Sequence, residues 1–499
     1  MNTYKKMDRF MYILGISFLA IPASIFLFFW FKWYIGVSAI IILVFLSYKL
    51  IKNIKYKTLK EYESIYDIKK WCVIIFILLI INILSGTGGF TYQNWDHNAR
   101  NAVMHDLIDY DYPVKYNYEK EGLVEKIGEQ GYLSYYFSYW LVSSSIGKVI
   151  GFYGANVCLF VYQFIGLLLF MYFLSRFFSS VKIWYALIFL CFSGLDFVEF
   201  LVNYGKLFPL GTHIDCYVGS RFIISSFITQ LFWVFNQSVP IWIIVMMYFN
   251  EKDNTNIGLL MFFALLFSPL PSLGFAALIL MNILFGKYKD SNKDKLLDRI
   301  KKCFVKNNYL SLILIALILI FYLNNVGSQE KGIVWLADYG IEKSELIRTY
   351  ISFLFGNIII IGLLLNNKIN RKYIIYVSLC LLLLSQFYLG IGADLLSRAS
   401  IPLLLFQFIL IIDRLSNKDT STTIHICLIV YLIISSIAPL QEIYRSIDYT
   451  KFSNYNYINN YNDFWYTYGN ENNDYNYTYI QNFSSKYDKN SFAFKYILK

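Results

Sequence analysis

The residues best placed to do chemistry lie in one stretch, Trp95-Asp-His-Asn-Ala-Arg-Asn-Ala-Val-Met-His-Asp-Leu-Ile-Asp109. Read as a helix over 96–109, it sets Asp96 and Arg100 four residues apart, able to pair on one side. His97, His105, Asp106 and Asp109 add titratable groups nearby. Asp96 follows an apolar run by about ten residues, close to where that run would leave a membrane. A carboxylate beside a cation and a desolvating surface is where a general base can be tuned. The bland alternative is a solvated amphipathic helix whose charges face water.

Two other constellations compete for attention. His213-Ile-Asp215 precedes Phe232-Trp-Val-Phe-Asn-Gln-Ser-Val-Pro240, which sets Asn236 and Gln237 just before a proline. Their amides either bind a hydroxyl-rich ligand or cap the break that Pro240 makes. In Asp394-Leu-Leu-Ser-Arg-Ala-Ser-Ile-Pro402, a helical turn pairs Asp394 with Arg398. An arginine at a membrane surface can grip a phosphate through two oxygens, or simply snorkel. Three of the four histidines, His97, His105 and His213, stand near Asp96, Asp106 and Asp215. No HExxH or paired-ligand spacing accompanies them, so no protein-held metal is expected.

The elements that must position these residues are apolar. Of 499 residues, 57% are hydrophobic and 20% aromatic, while only 15% are charged. Soluble domains carry roughly 25% charged residues. This balance excludes a soluble globule, a disordered chain and a disulfide scaffold. It predicts an all-α membrane protein of about 11–14 transmembrane or re-entrant helices. The seven cysteines are scattered singly, as small buried hydrophobes. Pro269 and Pro271 should split the run 257–285 into two short helices, a hairpin.

The net charge of +11 does not point to nucleic acid, because the lysines and arginines gather in short segments between apolar runs. Segments 49–70 and 286–308 are the richest and belong in the cytoplasm. The N-terminus is then cytoplasmic, and the loop 86–132 and the Tyr/Asn-rich segment 441–499 lie outside. The polytopic transmembrane domain is read as 1–440, with 441–499 as a small external segment. The run 133–150 is expected to dip into the outer leaflet only, which leaves Arg176 and Lys182 inside.

The long external first loop with an acidic residue, the many apolar helices and the external C-terminal part resemble the GT-C class of polytopic glycosyltransferases. More narrowly, Trp95–Ile108 with Tyr112-Pro-Val114, Tyr132-Leu-Ser-Tyr-Tyr-Phe137, Leu231-Phe-Trp-Val-Phe-Asn-Gln237 and Asp394–Pro402 is similar to blocks in a group of uncharacterised bacterial integral membrane proteins. The resemblance spans roughly residues 70–410 and implies a GT-C-like bundle in the bacterial cytoplasmic membrane. It implies transfer of a sugar from a polyprenyl-phosphate carrier to an envelope glycan or other acceptor on the outer face, with Asp96 as the catalytic residue. Many members carry paired acidic residues, whereas this chain has Asp96-His97. His97, Arg100, His105, Asp106, Asp109, His213, Asp215, Asn236, Gln237, Asp394 and Arg398 would bind substrate. No resident cofactor is expected; a divalent cation held with the substrate phosphate is the one candidate. The expected partners are the lipid bilayer, the lipid-linked sugar donor and the acceptor, and no nucleic acid. The rival readings are a transporter of lipid-linked oligosaccharide and a non-catalytic envelope-assembly protein.

Overall fold

A computed structural model describes residues 1–117, 130–195, 200–201, 205, 208–214, 222, 224–251, 253–289, 294–325, 333–335, 338, 342–365, 371–389, 394–452 and 483–499. Its helices are α1 (Asn2–Trp30), α2 (Trp33–Lys52), α3 (Leu59–Ile65), α4 (Ile68–Leu84), α5 (Asp96–Asp109), α6 (Leu141–Phe177), α7 (Ile183–Cys191), α8 (Phe227–Asn250) and α9 (Ile257–Phe267). They continue as α10 (Pro269–Phe285), α11 (Leu296–Lys301), α12 (Lys306–Asn325), α13 (Lys343–Leu365), α14 (Arg371–Leu384), α15 (Asp394–Ser416), α16 (Thr422–Ser435), α17 (Ile437–Phe452) and α18 (Phe492–Tyr496). Among the described residues, seven helical stretches are long and apolar enough to cross a membrane: α1, α2, α6, α8, α12, α15 and α16 run on into α17. The chain is a multi-pass, all-α membrane protein. The helix α17 runs through the expected domain boundary at 440, and the rest of the tail up to 482 lies outside the described residues.

Breaks in the helices have identifiable causes. Ser268 is extended (φ −170°, ψ 126°) because the proline after it disfavours the helical region, and Pro269 then opens α10. The expected hairpin is therefore two helices hinged at one serine. Gly151 takes φ +79° inside α6, and nothing stands within 4 Å of the position a Cβ would occupy. Backbone conformation, not space, demands glycine there. The kink divides α6 into 141–150 and 152–177. In α8 the break falls at Val234 (φ −142°, ψ 37°), and Pro240 removes a further N–H from the ladder.

One end of the bundle gathers the basic residues. There Arg176 donates to the Lys55 carbonyl at 2.6 Å, Lys287 to the carbonyls of Tyr248, Glu251 and Asp253 at 3.0–3.2 Å, and Lys372 to that of Phe285 at 2.9 Å. Buried among the helices at this end, Asp8 and Arg176 form a two-pronged ion pair with Nε–Oδ1 and Nη2–Oδ2 distances of 2.8 and 3.1 Å. The Tyr62 hydroxyl donates to Asp8 at 2.8 Å, and Asn250 accepts from Arg176 at 3.1 Å.

The opposite end carries α5 and a three-stranded antiparallel sheet. Strand β1 (Lys115–Asn117) pairs with β2 (Gln130–Leu133), which pairs with β5 (Ser484–Lys486) in the register Tyr132↔Ser485. A second, two-stranded ladder joins β3 (Ile333–Trp335) to β4 (Phe387–Leu389). Beyond β5 the chain is stitched to the end of α1 by main-chain hydrogen bonds: the Lys32 N–H donates to the Ile497 carbonyl at 2.9 Å and the Lys499 N–H to that of Trp30 at 3.0 Å.

Candidate functional site

The helix expected over 96–109 forms over those residues, and its first turn meets the broken α8. The break at Val234 leaves the Phe232 carbonyl outside the helical ladder, where it accepts from Asn94 Nδ2 at 2.8 Å and contacts His97 Nε2 at 3.2 Å. This clasp fixes the α5 entry and turns His97 inward, 2% exposed. Burial, together with the Arg100 charge, pushes the imidazole down to about 3, so it stays neutral at physiological pH. His97 is a structural wedge between two elements.

Arg100 points to the mouth. It donates to Asp96 Oδ2 at 3.1 Å, and its guanidinium lies 5.2 Å from the Phe235 ring centre. The side chain is 5% exposed and Nη1 has no hydrogen-bond partner, whereas Asp96 is 28% exposed. Asp96 is thus held by one arginine and open to solvent.

From the far side of the sequence, α15 brings a second pair, Arg398 Nη2 to Asp394 Oδ1 at 3.5 Å. Its depth is set by the hairpin: a Cβ on Gly274 of α10 would sit 1.9 Å from the Ala399 carbonyl, so only glycine lets α10 press against α15 just past Arg398. Asp96 is within electrostatic reach of Arg398, although 302 residues separate them. Between the two loops stand Tyr135 and Tyr136, with ring centres 3.8 Å apart. Burial pushes both hydroxyls up, and the charges of Arg398 and Arg100 oppose it. Both tyrosines are therefore protonated donors at neutral pH. Phe483 stacks on Tyr135 at 4.1 Å, and its carbonyl accepts from the Ser134 N–H at 2.9 Å, so the chain next to β5 walls the mouth.

The structure therefore pairs Asp96 with Arg100 and Asp394 with Arg398, sets the two pairs within electrostatic reach of each other, and sends the other expected residues elsewhere. Asp106 is fully buried and accepts from the Tyr116 hydroxyl. His105 pairs with exposed Asp109 at 3.1 Å, farther along α5. Gln237 accepts from Ser268 at the hairpin hinge at 3.1 Å, while Asn236 is fully buried with no partner for either amide atom. Asp215 lies outside the described residues. His213 contacts Glu442 and stacks on Trp233 at 4.1 Å, and Trp233 Nε1 donates to the same carboxylate at 2.9 Å.

Reading the sequence missed four participants. Tyr135 and Tyr136 looked like part of an apolar run. Glu442 and Arg445 of α17 border a small cavity with Tyr92, Asn94 and Phe232. Their spacing, Glu442 three residues before Arg445 just past an apolar run, was the available signal. Among the described residues no group of three or more His, Cys, Asp or Glu side chains could hold a metal.

No family model matches the chain, and no curated protein or solved structure matches it either.

Proposed function

We propose that the protein is a GT-C-type membrane glycosyltransferase. It moves a sugar from a polyprenyl-phosphate carrier to an envelope glycan or other acceptor on the outer face of the bacterial cytoplasmic membrane. The basic end of the bundle, and with it the N-terminus, would face the cytoplasm. The observation that supports this reading is that a solvent-open carboxylate, Asp96, lies within electrostatic reach of an arginine from a distant loop, Arg398, at the end opposite the basic segments.

The two arginines suit different tasks. Arg100 is buried, clamped by Asp96 and seated on Phe235, so it orients the carboxylate. Arg398 is paired loosely at 3.5 Å to an Asp394 that is 58% exposed, and exposed pairs contribute little. A phosphate can replace that partner at small cost. In the reaction, the acceptor hydroxyl attacks the anomeric carbon, its proton passes to Asp96, and the carbon–oxygen bond to phosphate breaks. Arg398 and the tyrosine hydroxyls stabilise the departing phosphate. One displacement inverts the anomeric centre. A transporter would place charge pairs at mid-membrane; the buried pair Asp8–Arg176 sits instead at the basic end.

The test is mass spectrometry of lipid-linked sugars and envelope glycans in a strain lacking the protein. One polyprenyl-phosphate sugar should accumulate and one glycan residue should vanish; unchanged profiles of both would sink the reading. Arg398 gives a second check. Lysine keeps the charge but loses the planar fork, so Arg398→Lys should bind donor more weakly and Arg398→Ala more weakly still. Hydrogen bonds to charged groups contribute about 1.5–3 kcal/mol, which puts the alanine loss at roughly 10- to 100-fold in donor affinity. Unchanged affinity in both monodisperse variants would remove Arg398 from the site.

A further inference from the structure

At the basic end, a cavity of about 300 Å³ opens between the end of α2 and the turn joining α8 to α9. Nothing in the proposed transfer uses it. Its lining includes the acidic residues Glu251 and Asp253 with Asn53, Asn256 and Tyr12; Asn250 lines it too, but its amide is engaged with Arg176, Phe173 and Met246. One cation, Lys55, belongs to the lining, and two others nearby are committed to other groups. Arg176 is bound to Asp8, Asn250 and the Lys55 carbonyl, and Lys287 to three main-chain carbonyls of the turn itself.

Glu251 is the informative wall residue. Its Oε1 accepts from Asn256 Nδ2 at 3.1 Å, but its Oε2 is buried and has no hydrogen-bond donor. Buried polar atoms are seldom left so, and each exception asks for an ion, a water or a functional reason. A carboxylate oxygen without a donor wants positive charge.

We propose that this cavity holds a hydrated divalent cation of the magnesium type, with Glu251 and Asp253 as its carboxylate ligands. The donor set is hard oxygen throughout, which excludes a soft thiolate or imidazole metal. Magnesium keeps much of its water and is typically bound through one or two carboxylates, the number found here. The cavity is also far too large for a bare ion and roomy enough for one with its water shell. Among the described residues no group of three or more His, Cys, Asp or Glu side chains is placed to hold a metal, here or elsewhere. Lys287 lies within electrostatic reach of Glu251, so affinity should be modest, in the millimolar range of free cellular magnesium. The site opens to the side opposite Asp96 and does not depend on glycosyl transfer.

The test uses the purified full chain in detergent, at constant ionic strength, with Mn²⁺ as the paramagnetic probe. One Mn²⁺ per chain should leave the free-ion spectrum and be displaced by Mg²⁺. Glu251→Gln should weaken binding at least tenfold and Asp253→Asn should weaken it too, while Asp298→Asn on α11 should bind like the parent. If Glu251→Gln does not fold, Asp253→Asn and Asn256→Ala carry the comparison. Non-saturable binding, full binding by the Glu251 and Asp253 variants, or displacement by spermidine but not by Mg²⁺ would each overturn the proposal. The first of these would leave a water-filled vestibule, which at this volume holds about ten waters.

Discussion

Asp96→Asn should lower sugar transfer by roughly 10²–10⁴-fold, the contribution of a positioned base, while donor binding and membrane insertion stay close to normal. The substitution suits the question because a carboxamide oxygen can still accept from Arg100, now at 3.1 Å, yet cannot take the acceptor's proton. Arg100 therefore keeps its place over Phe235, and the α5 clasp on the Phe232 carbonyl, made by Asn94 and His97, is untouched. Transfer would be followed in membranes with a radiolabelled polyprenyl-phosphate sugar. Near-parental turnover by a well-folded variant would end the role of Asp96. Attention would then move to Asp109 or Asp215, since Asp106 is buried against Tyr116.

The largest stability effect is expected far from that mouth. Asp8 and Arg176 are 0% and 1% exposed, and Asp8→Asn leaves a guanidinium buried without its counter-charge. Breaking such a pair by removing one partner costs about 3–5 kcal/mol. Asn250, the Lys55 carbonyl and the Tyr12 ring would still hold Arg176, which places the loss toward the lower part of that range. Thermal unfolding in detergent should show the single variant strongly destabilised. The double variant Asp8→Asn/Arg176→Met should lose less than the sum of the two singles, because the residues act as one unit. An Asp8→Asn protein as stable as its parent would show that the pair carries no net stabilisation.

What the sequence made legible was local. The helix 96–109, the pairs Asp96–Arg100 and Asp394–Arg398, and the hinge at Pro269 all follow from spacings of one to four residues, where backbone geometry decides. Long-range pairing was not legible. That Asp96 and Arg398 come within electrostatic reach depends on how α10 presses on α15 and on where α5 clasps α8, and apolar surfaces pack without announcing their partners. Asp8 and Arg176 were passed over for a related reason: each stands at the end of an apolar run, Asp8 among Lys5, Lys6 and Arg9, where a charge reads as an ordinary flanking residue. The inward turn of His97 and Asp106 shows the converse. Their types suggested chemistry, but a helix buried on most of its faces uses polar side chains as internal fastenings.

The sheet at the α5 end of the bundle has an unusual order of construction. Strands β1 and β2 leave the ribosome early, whereas β5 follows β2 by about 350 residues. At translation rates of roughly 5–20 residues per second, the wait is on the order of 20–70 s. A lone two-stranded ribbon is only marginally stable in water. During that interval Tyr135 and Tyr136 have no Phe483 beside them, and the rim around Asp96 is unfinished. The rim can therefore close only after every helix between has been inserted, so a nascent chain halted short of its last strand would be anchored in the bilayer with that rim open.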